Sequence, residues 1–298
     1  MRIAVTGASG YLGSNFIDMY KGAYDITTIG RNLNVPSSCL GVNYIQSDYS
    51  RESLEGILKN TDAVIHLAYA MATKENEKRG IESYRSSMNA TENILSVADN
   101  LGIKNIVFAS SRLVYPSYSK TPFKEGDPVS PTTYYGKSKV MMEQLFEKYN
   151  SEGVASIKIL RFGQIIGANM SVRGLFSVFM EKASKDEPLT LIGNDIRDYI
   201  YVKDACRAIA AAIVHPIAAG AFNISMGIGT DNRIMAESIL GELDSHSEII
   251  ADSESKKDAG DRIVLDVTKA AESLGFRCQY DTISKIAKDI LKKSDLKK

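Results

Sequence analysis

The sequence is poor in cysteine and histidine, and it lacks a net charge and any long apolar run. Its three cysteines, Cys39, Cys206 and Cys278, are far apart and odd in number, so a disulfide scaffold is excluded and reduced thiols are expected. No apolar stretch approaches the roughly 20 residues that a membrane-spanning helix needs. The N-terminus also lacks the pattern of a signal peptide. We therefore expect a soluble, cytoplasmic protein.

Neither sign of charge is in excess, because 36 basic residues balance 36 acidic ones and the formal net charge is zero. Such a chain has no general attraction for nucleic acid or for an anionic membrane. The histidines, His66, His215 and His246, are scattered, and no cluster with cysteine or acidic residues has metal-ligand spacing. We therefore expect a small molecule as the partner, with no nucleic acid, membrane or metal.

Short apolar runs alternate with longer helical patterns through the first half of the 298 residues. This alternation is typical of βαβ units and predicts an α/β fold of the Rossmann type, with a doubly wound parallel sheet. Strands are predicted at Arg2–Val5, Asp25–Ile29, Asn43–Gln46, Ala63–Leu67, Asn105–Ala109 and Ser156–Arg161. Crossover helices are predicted at Tyr11–Lys21, Ser53–Leu58, Ser83–Asn100 and Thr133–Tyr149.

After Gly167 the alternation becomes irregular, which predicts a smaller second lobe. Its predicted elements are a helix at Ser171–Ser184, a strand at Pro188–Ile192, a strand end with an alanine-rich helix within Ile200–His215, and a strand at Ala221–Ser225. We interpret residues 1–165 as one domain, to which a segment near 196–216 returns. Residues 166–298 then form a smaller, discontinuous domain.

A glycine-rich turn lies between the first predicted strand and the first predicted helix. Gly7, Gly10 and Gly13 follow one another at intervals of three residues. In such a turn the first glycine permits the bend, the second lets the backbone approach a pyrophosphate, and the third allows close packing of the helix. The same glycines can also serve only the geometry of the turn. The turn favours a dinucleotide site and leaves a purely structural role open.

Asp48 closes the third predicted strand at the carboxyl edge of the sheet, where ligands collect in open α/β folds. Its carboxylate can accept a hydrogen bond from the adenine amine of a dinucleotide. It can equally cap the turn or helix that begins near Ser50–Leu54. Both roles stay open on the sequence alone.

The end of the second predicted strand distinguishes NAD from NADP. An acidic residue there binds the ribose hydroxyl of NAD, whereas an arginine suits the additional phosphate of NADP. The chain has Gly30, Arg31 and Asn32 and no acid at this place. Arg31 therefore favours NADP modestly over NAD, although a solvated arginine or one stacked on adenine fits the same position.

Tyr135 and Lys139 are four residues apart at the start of a predicted helix, so both side chains lie on one face. The ammonium, together with an oxidised nicotinamide ring, is expected to lower the pKa of Tyr135 from its ordinary value near 10. Tyr135 then serves as a general acid or base. Ser111, which follows Ser110 after a predicted strand, can hold the substrate oxygen. Taken singly, a Tyr/Lys pair or a Ser-Ser turn is common and structural.

Several short motifs occur in the order that is found in extended short-chain dehydrogenases/reductases. They are the glycine turn, His66-Leu67-Ala68, the segment Asn89–Asn93, Ser110-Ser111 with Val114-Tyr115, Tyr135 with Lys139, Leu160–Gly163 and Arg197-Asp198-Tyr199. From Met1 to about Phe276 the chain resembles the NAD-dependent epimerase/dehydratase branch of these enzymes. Within that branch it is most similar to nucleotide-sugar 4-epimerases.

The resemblance implies roles for residues in both domains. It implies that Ser111, Tyr135 and Lys139 are catalytic, and that the first domain binds NAD(P) while the second binds the substrate. The implied cofactor contacts are Gly7, Ser9, Gly10, Tyr11, Leu12, Gly13, Arg31, Asp48, Tyr49, Leu67, Ala68, Tyr69, Asn89, Ala109, Tyr135, Lys139 and Phe162. The implied substrate contacts are Ser111, Arg197 and Tyr201. It also implies a homodimer, in which the helices at 83–100 and 133–149 pair with those of a second copy.

One departure from the family pattern narrows the chemistry. Dehydratases of this family carry an Asp-Glu pair directly after the active hydroxyl, whereas this chain has Arg112 and Leu113. The cysteine that serves 3,5-epimerising relatives in the same loop is absent too. With dehydration and 3,5-epimerisation set aside, the reaction expected of this chain is oxidation and reduction at a single carbon.

A second departure concerns the nucleotide diphosphate. Arg197 resembles the family's phosphate contact, a guanidinium fork well matched to phosphate oxygens, unless it pairs with Asp198 or Asp204 instead. The second phosphate arginine of the 4-epimerases is missing near residues 257–261. Lys257 or Arg262 takes its place, or the substrate has no diphosphate.

These observations leave three functions. The first is an NAD(P)-dependent epimerase of a sugar in a nucleotide sugar, which oxidises one carbon and returns the hydride. The second is an NADPH-dependent ketoreductase of a smaller carbonyl compound, favoured by Arg31 and by the missing arginine. The third is a non-catalytic dinucleotide sensor, against which Ser111, Tyr135 and Lys139 argue. A serine hydrolase is excluded because no Gly-x-Ser-x-Gly motif is present.

Overall fold

The computed structural model describes residues 1–69, 77–117, 121–170, 174–193, 195–251 and 262–293. Contacts along the chain divide it into two compact units. The first comprises Met1–Ser111, Thr133–Leu160 and Cys206–Phe222, and the second comprises Arg112–Thr132, Arg161–Ala205 and Asn223–Lys298. The domain boundary predicted between residues 165 and 166 stays a prediction.

The strands and helices alternate through the first half of the chain. The strands are β1 (Arg2–Thr6), β2 (Asp25–Gly30), β3 (Asn43–Gln46), β4 (Ala63–His66), β5 (Asn105–Ser111), β6 (Ser156–Phe162), β7 (Gln164–Ile166), β8 (Leu189–Leu191), β9 (Ile196–Tyr201), β10 (Gly220–Ile224), β11 (Gly229–Asp231), β12 (Ile249–Ala251) and β13 (Arg262–Ile263). The helices are α1 (Tyr11–Tyr20), α2 (Arg51–Leu58), α3 (Glu77–Asn100), α4 (Tyr134–Ser151), α5 (Leu175–Ala183), α6 (Val202–Val214), α7 (Asn232–Leu243), α8 (Thr268–Leu274) and α9 (Ile283–Lys293).

The main sheet has seven strands in the order β3-β2-β1-β4-β5-β6-β10. β1 pairs in parallel with β2 and β4, β2 with β3, and β4 with β5. The predicted Rossmann-type fold is therefore confirmed. The chain leaves β1 for β2 and β3 on one side and returns to β4 on the other, and the crevice at such a reversal is where open α/β sheets bind ligands.

Side-chain caps explain where two of the helices begin. Ser50 accepts a hydrogen bond from Ser53 N at 3.3 Å, so α2 begins at Arg51, two residues before its predicted start. Thr133 accepts one from Gly136 N at 3.0 Å and caps α4. This cap fixes Tyr135 in the first turn of the helix.

Aromatic packing joins α4 to the strand beneath it. The rings of Phe108 in β5 and Phe146 in α4 have centroids 4.4 Å apart, and both side chains are fully buried. Burying one such ring stabilises the fold by roughly 2–3 kcal/mol. The face of α4 that carries Tyr135 and Lys139 is thereby held against β5.

The second unit is built around β9. This strand pairs with β11, β13 and β7 in a four-stranded sheet, and β8 pairs separately with β12. Four of these strands have only three residues and one has two. No element beyond Ser225 was predicted from the sequence. The strands there are too short to carry a readable periodicity, and the helices α7, α8 and α9 were missed as well.

Two of the features that are scarce in the sequence, cysteines and long apolar runs, have a counterpart in the structure. Cys39, Cys206 and Cys278 are all free thiols, and the first two are buried. Burial raises the pKa of Cys206 to about 12, so that thiol stays protonated at neutral pH. Within the described ranges, no helix has the length and apolar character to cross a membrane.

Candidate active site

The glycine turn follows β1 directly, and its backbone leaves no room for side chains at two positions. Gly7 has a φ of +73°, and a Cβ there would lie 2.6 Å from Ala68 N. A Cβ on Gly13 would lie 2.2 Å from Gly7 O. At Gly10 the nearest atom would be Gly7 O at 3.2 Å. Gly7 and Gly13 are thus required by the protein's own geometry, whereas Gly10 faces the space above the turn.

That space is a cavity of about 290 Å³ at the carboxyl edge of β1, β2 and β4. Eight of the residues implied as cofactor contacts line it: Gly7, Ser9, Gly10, Arg31, Tyr49, Leu67, Ala68 and Tyr69. The lining also includes residues that the sequence analysis does not identify: Ala8, Ile29, Gly30, Asn32, Tyr44, Ser87 and Ala90. The segments that meet here come from five separate parts of the first unit.

Asp48 lies at this edge, but its carboxylate serves the turn before α2. The side chain is exposed, and Oδ1 accepts a hydrogen bond from Ser50 N at 2.8 Å. This hydrogen bond lowers the pKa of Asp48 below its ordinary value. The structure thus supports the capping role that the sequence left open, and the adenine contact stays a prediction.

Asn89 does not line this cavity, and its expected role as a cofactor contact stays a prediction. Asn89 is exposed on α3, whereas Ser87 and Ala90 line the cavity. Residues two positions apart on an α-helix are rotated by about 200° from each other, so the side chains of Ser87 and Asn89 lie on opposite faces of α3. The polar group that α3 offers to the cavity is therefore Ser87, and only the phase of the helix on the sheet reveals it.

Arg31 is exposed at the mouth of the cavity and lies over an aromatic ring. Its guanidinium carbon is 5.3 Å from the centroid of the Tyr49 ring, which is within the range of a cation–π contact. The Tyr44 hydroxyl donates to Asn32 O at 2.7 Å and so ties the loop after β2 to β3. Arg31 is thus held beside the cavity while its charge remains in water.

His66 connects β1, β4 and α3 beneath the cavity. Its Nδ1 is 2.7 Å from Thr6 Oγ1, and its Nε2 is 2.9 Å from Thr91 Oγ1. Thr6 Oγ1 accepts from Ala68 N, and Thr91 Oγ1 donates to Ser87 O, which assigns the proton of His66 to Nε2. Burial, with the charge of Lys139, lowers the pKa of His66 to about 3. The sequence suggests a packing residue, and the structure shows a neutral hydrogen-bonding link.

Lys139 is buried next to Tyr135 and against the end of β5. Its Nζ donates to Ala109 O at 2.7 Å, and it lies 5.5 Å from the centroid of the Tyr135 ring. The rings of Phe108 and Tyr69 flank it at 4.6 and 4.8 Å. Burial lowers the pKa of Lys139 to about 7.

The pKa of Tyr135 shifts in the direction opposite to the one expected. Burial, with a smaller contribution from Tyr69, raises it above its ordinary value. The expectation considered the charge of Lys139 but not the loss of water around the phenol, and here the loss of water dominates. In the protein alone the phenol is therefore protonated at neutral pH.

Of the remaining predicted site residues, Tyr11 and Leu12 begin α1, and the others lie at the end of β5 and in the second unit. Ser111 ends β5 and is partly buried, and Ser110 donates a hydrogen bond to Glu143 of α4. The sequence analysis does not identify Glu143, although it follows Lys139 by one helical turn. Phe162 is buried in the second unit.

Arg197 and Tyr201 of β9 both have acidic partners within the second unit. Arg197 pairs with Asp195, and not with Asp198 or Asp204 as considered from the sequence. The Tyr201 hydroxyl donates to Asp289 Oδ2 at 2.7 Å, and the side chain is buried. Of the two candidate replacements for the missing phosphate arginine, Arg262 is exposed in β13 and Lys257 lies outside the described residues.

The fold and this site define a class of protein. Residues 3–225 match the profile of the NAD dependent epimerase/dehydratase family. Since the match spans most of the chain, the protein belongs to this family of enzymes, as the motifs predict.

Individual relatives share the whole length of the chain. It is 26% identical to the UDP-glucose 4-epimerase of Azospirillum brasilense, covering 97% of this chain and 91% of that one. It is 27% identical to the dTDP-4-dehydro-6-deoxyglucose reductase of Escherichia coli, covering 97% of each. The crystal structure of UDP-N-acetylglucosamine 4-epimerase from Bacillus cereus superposes with a TM-score of 0.85 at 27% identity, covering 97% of this chain and 98% of that one.

Proposed function

We propose that this chain is an NAD(P)-dependent epimerase that inverts one carbon of the sugar in a nucleotide sugar. It removes a hydride from that carbon and returns it to the opposite face. The observation that carries the proposal is the buried placement of Lys139 beside Tyr135 at the end of β5, in the unit that also holds the glycine turn. Two of the relatives named above are 4-epimerases of nucleotide sugars, which supports it.

The residues around the cavity fit a dinucleotide. Ser9 and Gly10 line the cavity at the N-terminus of α1, where backbone amides and the helix dipole favour phosphate. A Cβ at Gly7 or Gly13 would clash with backbone atoms, so a larger residue at either position would disrupt the turn. When bound, a nicotinamide dinucleotide accepts the hydride of the substrate and gives it back.

Tyr135 is the group that exchanges a proton with the sugar hydroxyl. In the protein alone, burial keeps the phenol protonated. Positive charge from an oxidised nicotinamide ring would lower the pKa of the phenol, so that it can take a proton from the sugar hydroxyl and return it. Ser111 holds the same hydroxyl oxygen. Lys139, fixed on Ala109 O, provides the cation nearest to the phenol.

Arg31 supports NADP as the preferred form of the cofactor. Its guanidinium lies at the mouth of the cavity, where the second strand offers no acid to bind a ribose hydroxyl. We expect Arg31→Ala to weaken NADP binding roughly tenfold and to leave NAD binding unchanged. Calorimetric titration of both cofactors measures this, and equal losses for the two would contradict it.

Substrate contacts outside β5 stay proposals, and they differ in strength. Arg197 is partly exposed and can offer its guanidinium to a diphosphate, in exchange with Asp195. Tyr201 is buried and already bonded to Asp289, so we assign it a supporting role for β9. In a binding titration, we expect Arg197→Ala to lose roughly tenfold or more of its affinity for a nucleotide sugar. Tyr201→Phe should bind it as the wild type does.

A homodimer through α3 and α4 is also part of the proposal. Both helices expose apolar side chains, with Ile81 55% and Met141 48% exposed. The Tyr84 hydroxyl contacts Met141 Sδ, so these two helices present their exposed side chains together. Light scattering tests this: the wild type is expected at twice the mass of one chain, and Met141→Lys as a monomer.

A ketoreductase is the second candidate, because one relative of full length is named as a reductase and Arg31 favours NADP. The deciding experiment supplies a nucleotide sugar and follows both epimers by NMR while cofactor absorbance is recorded. An epimerase interconverts the two without net consumption of cofactor. Net oxidation of NADPH with a carbonyl substrate would assign the reductase, and binding without turnover would assign a sensor.

A further inference from the structure

Helix α4 carries a second buried ionisable residue, Glu143, on the face that holds Tyr135 and the buried Lys139. Glu143 follows Lys139 by four residues, so the three side chains form one row along the helix. Glu143 is 4% exposed and Lys139 is 2% exposed. Two opposite charges are therefore buried one turn apart, at a place where an isolated charge is costly.

Both of these residues are fastened to the same strand end. Ser110 Oγ donates to Glu143 Oε1, and Lys139 Nζ donates to Ala109 O. The next residue of β5 is Ser111, which the proposed function assigns to the substrate oxygen. The hydrogen bonds of α4 thus hold the two residues that precede Ser111.

Glu143 is the acid among the groups that surround Lys139. Lys139 faces Tyr135 on its own helix, Tyr69 and the neutral His66 at the end of β4, and Phe108 on β5. Burial lowers the pKa of Lys139, and the carboxylate of Glu143 opposes that shift. The charge of Lys139 therefore depends on Glu143 in a way that packing alone does not produce.

We propose that Glu143 is a positioning residue of the reaction: its carboxylate, held by Ser110, keeps the buried Lys139 charged and holds the strand end that presents Ser111. The effect on turnover rests on the proposed function. The electrostatic effect does not, because it is a property of the protein without cofactor or substrate.

The test compares variants that separate charge from shape. Glu143→Gln keeps an acceptor for Ser110 and the size of the side chain, but it removes the charge. Glu147→Gln removes the same charge from an exposed position one turn further along α4 and is the matched control. Glu143→Asp restores a carboxylate, and it also serves if the glutamine variant does not fold.

The first readout is the titration of Lys139, followed by NMR of isotope-labelled lysine side chains in the protein alone and assigned by its absence in Lys139→Met. The wild type is expected to titrate near pH 7. Glu143→Gln is expected to titrate at least about one pH unit lower, since loss of the carboxylate leaves burial unopposed. Glu147→Gln should match the wild type. Equal midpoints for Glu143→Gln and the wild type would overturn the proposal.

The second readout is the pH profile of kcat with a nucleotide sugar. Because the charged form of Lys139 is the active one, deprotonation of Lys139 lowers kcat at high pH. In Glu143→Gln this decrease in kcat begins at a lower pH. A shift of one unit lowers kcat there about tenfold, with KM little changed and with Glu143→Asp recovering most of it. A uniform loss at every pH would reduce Glu143 to a structural role. Absence of turnover in the wild type would refute the proposed function, while the titration alone would still decide the coupling.

Discussion

His66 and Lys139 of the first unit and Asp198 of the second are buried ionisable groups with different kinds of partner. In the first unit, His66 hydrogen-bonds Thr6 and Thr91, which in turn bond Ala68 N and Ser87 O of the cavity lining, and Lys139 lies beside Tyr135 and the cavity residue Tyr69. In the second unit, Asp198 accepts from Ser225 Oγ at 2.7 Å, Leu265 N at 3.0 Å and Gly227 N at 3.1 Å. These hydrogen bonds all lie within the protein, and they join β9 to two later segments of the chain, at Ser225–Gly227 and at Leu265.

This difference distinguishes buried ionisable groups beside a cavity, which are candidates for a reacting site, from those with purely structural partners, such as Lys158 of the first unit, which donates to Asn105 Oδ1 and Ser156 O. Buried ionisable groups with shifted pKa values occur at functional sites and in structural networks alike. Arg161 of the second unit illustrates the structural kind, since Nη1 donates to the Tyr115 hydroxyl at 2.8 Å and to Glu125 O at 3.1 Å. We therefore expect substitution of Tyr135 or of its buried neighbours to change turnover, and substitution of Asp198 or Arg161 to change stability.

The largest effect is expected from Tyr135→Phe. Removing a general acid/base hydroxyl should lower kcat about 10³-fold, while folding and cofactor affinity stay close to those of the wild type. Steady-state kinetics and a cofactor titration measure the two.

Tyr134→Phe is the matched control, because Tyr134 is the neighbouring residue and is 80% exposed. Its kcat should stay within a factor of two. If Tyr135→Phe retained wild-type turnover, Tyr135 would not be the general acid/base, and the reacting site would not be the one assigned to the first unit.

In the second unit, Asp198→Ala should lower the free energy of unfolding by about 3 kcal/mol. The substitution leaves several buried donors without an acceptor, and each unsatisfied group costs about 1–3 kcal/mol. Asp281→Ala is the control, since Asp281 forms an exposed ion pair with Lys285 and should cost at most about 0.5 kcal/mol. Denaturant unfolding measures both, and equal values for the two variants would contradict the account.

A pair of glycine substitutions sharpens the comparison. A Cβ on Gly13 would lie 2.2 Å from Gly7 O, and one on Gly163 would lie 2.8 Å from Asp198 O. Both alanine variants should lose roughly 1–3 kcal/mol of stability, as overpacked sites do. Only Gly13→Ala should also weaken cofactor binding. A calorimetric titration in which Gly163→Ala weakened binding as much would show that the second unit also shapes the cofactor site.

The smallest effects concern the pH dependence of stability, and they have opposite signs in the two units. Burial lowers the pKa of His66 to about 3, so between that pH and about 6.5 the unfolded chain binds the additional proton and stability rises with pH. Burial raises the pKa of Asp198 to about 7, so between about pH 4 and 7 the folded chain binds the additional proton and stability falls as pH rises. Each slope is at most about 1.4 kcal/mol per pH unit.

Neutral substitutions separate the two slopes. Over about pH 4 to 6.5, His66→Gln should remove the rise and Asp198→Asn should remove the fall, as measured by denaturant unfolding at several pH values. If both substitutions changed the slope in the same direction, the charge states assigned to one of these groups would be wrong.

The first half of the fold was predictable because its strands are long and bounded by clear turns. Each of the six predicted strands there lies within two residues of its observed bounds. Gly7 and Gly13 were predictable for the same local reason, since the turn follows the strand directly. Strands of two or three residues, such as β13 and β7, leave no such signal.

The arrangement of the candidate site was predictable where it depends on the spacing of residues along one helix. It was not predictable where it depends on how separate elements pack together. Tyr135 and Lys139 share a face because they are four residues apart. The hydrogen bond from Ser110 to Glu143 joins residues 33 positions apart, which no local pattern encodes. Ser87 replaces Asn89 at the cavity because the phase of α3 is set by its contacts. The raised pKa of Tyr135 follows from burial, which a single sequence does not reveal.

The most direct test of the account uses a nucleotide sugar that carries deuterium on the carbon to be inverted, in ordinary water. If the first unit returns the same hydride that it removes, both epimers will retain the deuterium at that carbon, as measured by NMR and mass spectrometry. Loss of the label to solvent during interconversion would mean that a proton is removed instead, and would contradict hydride transfer in this cleft.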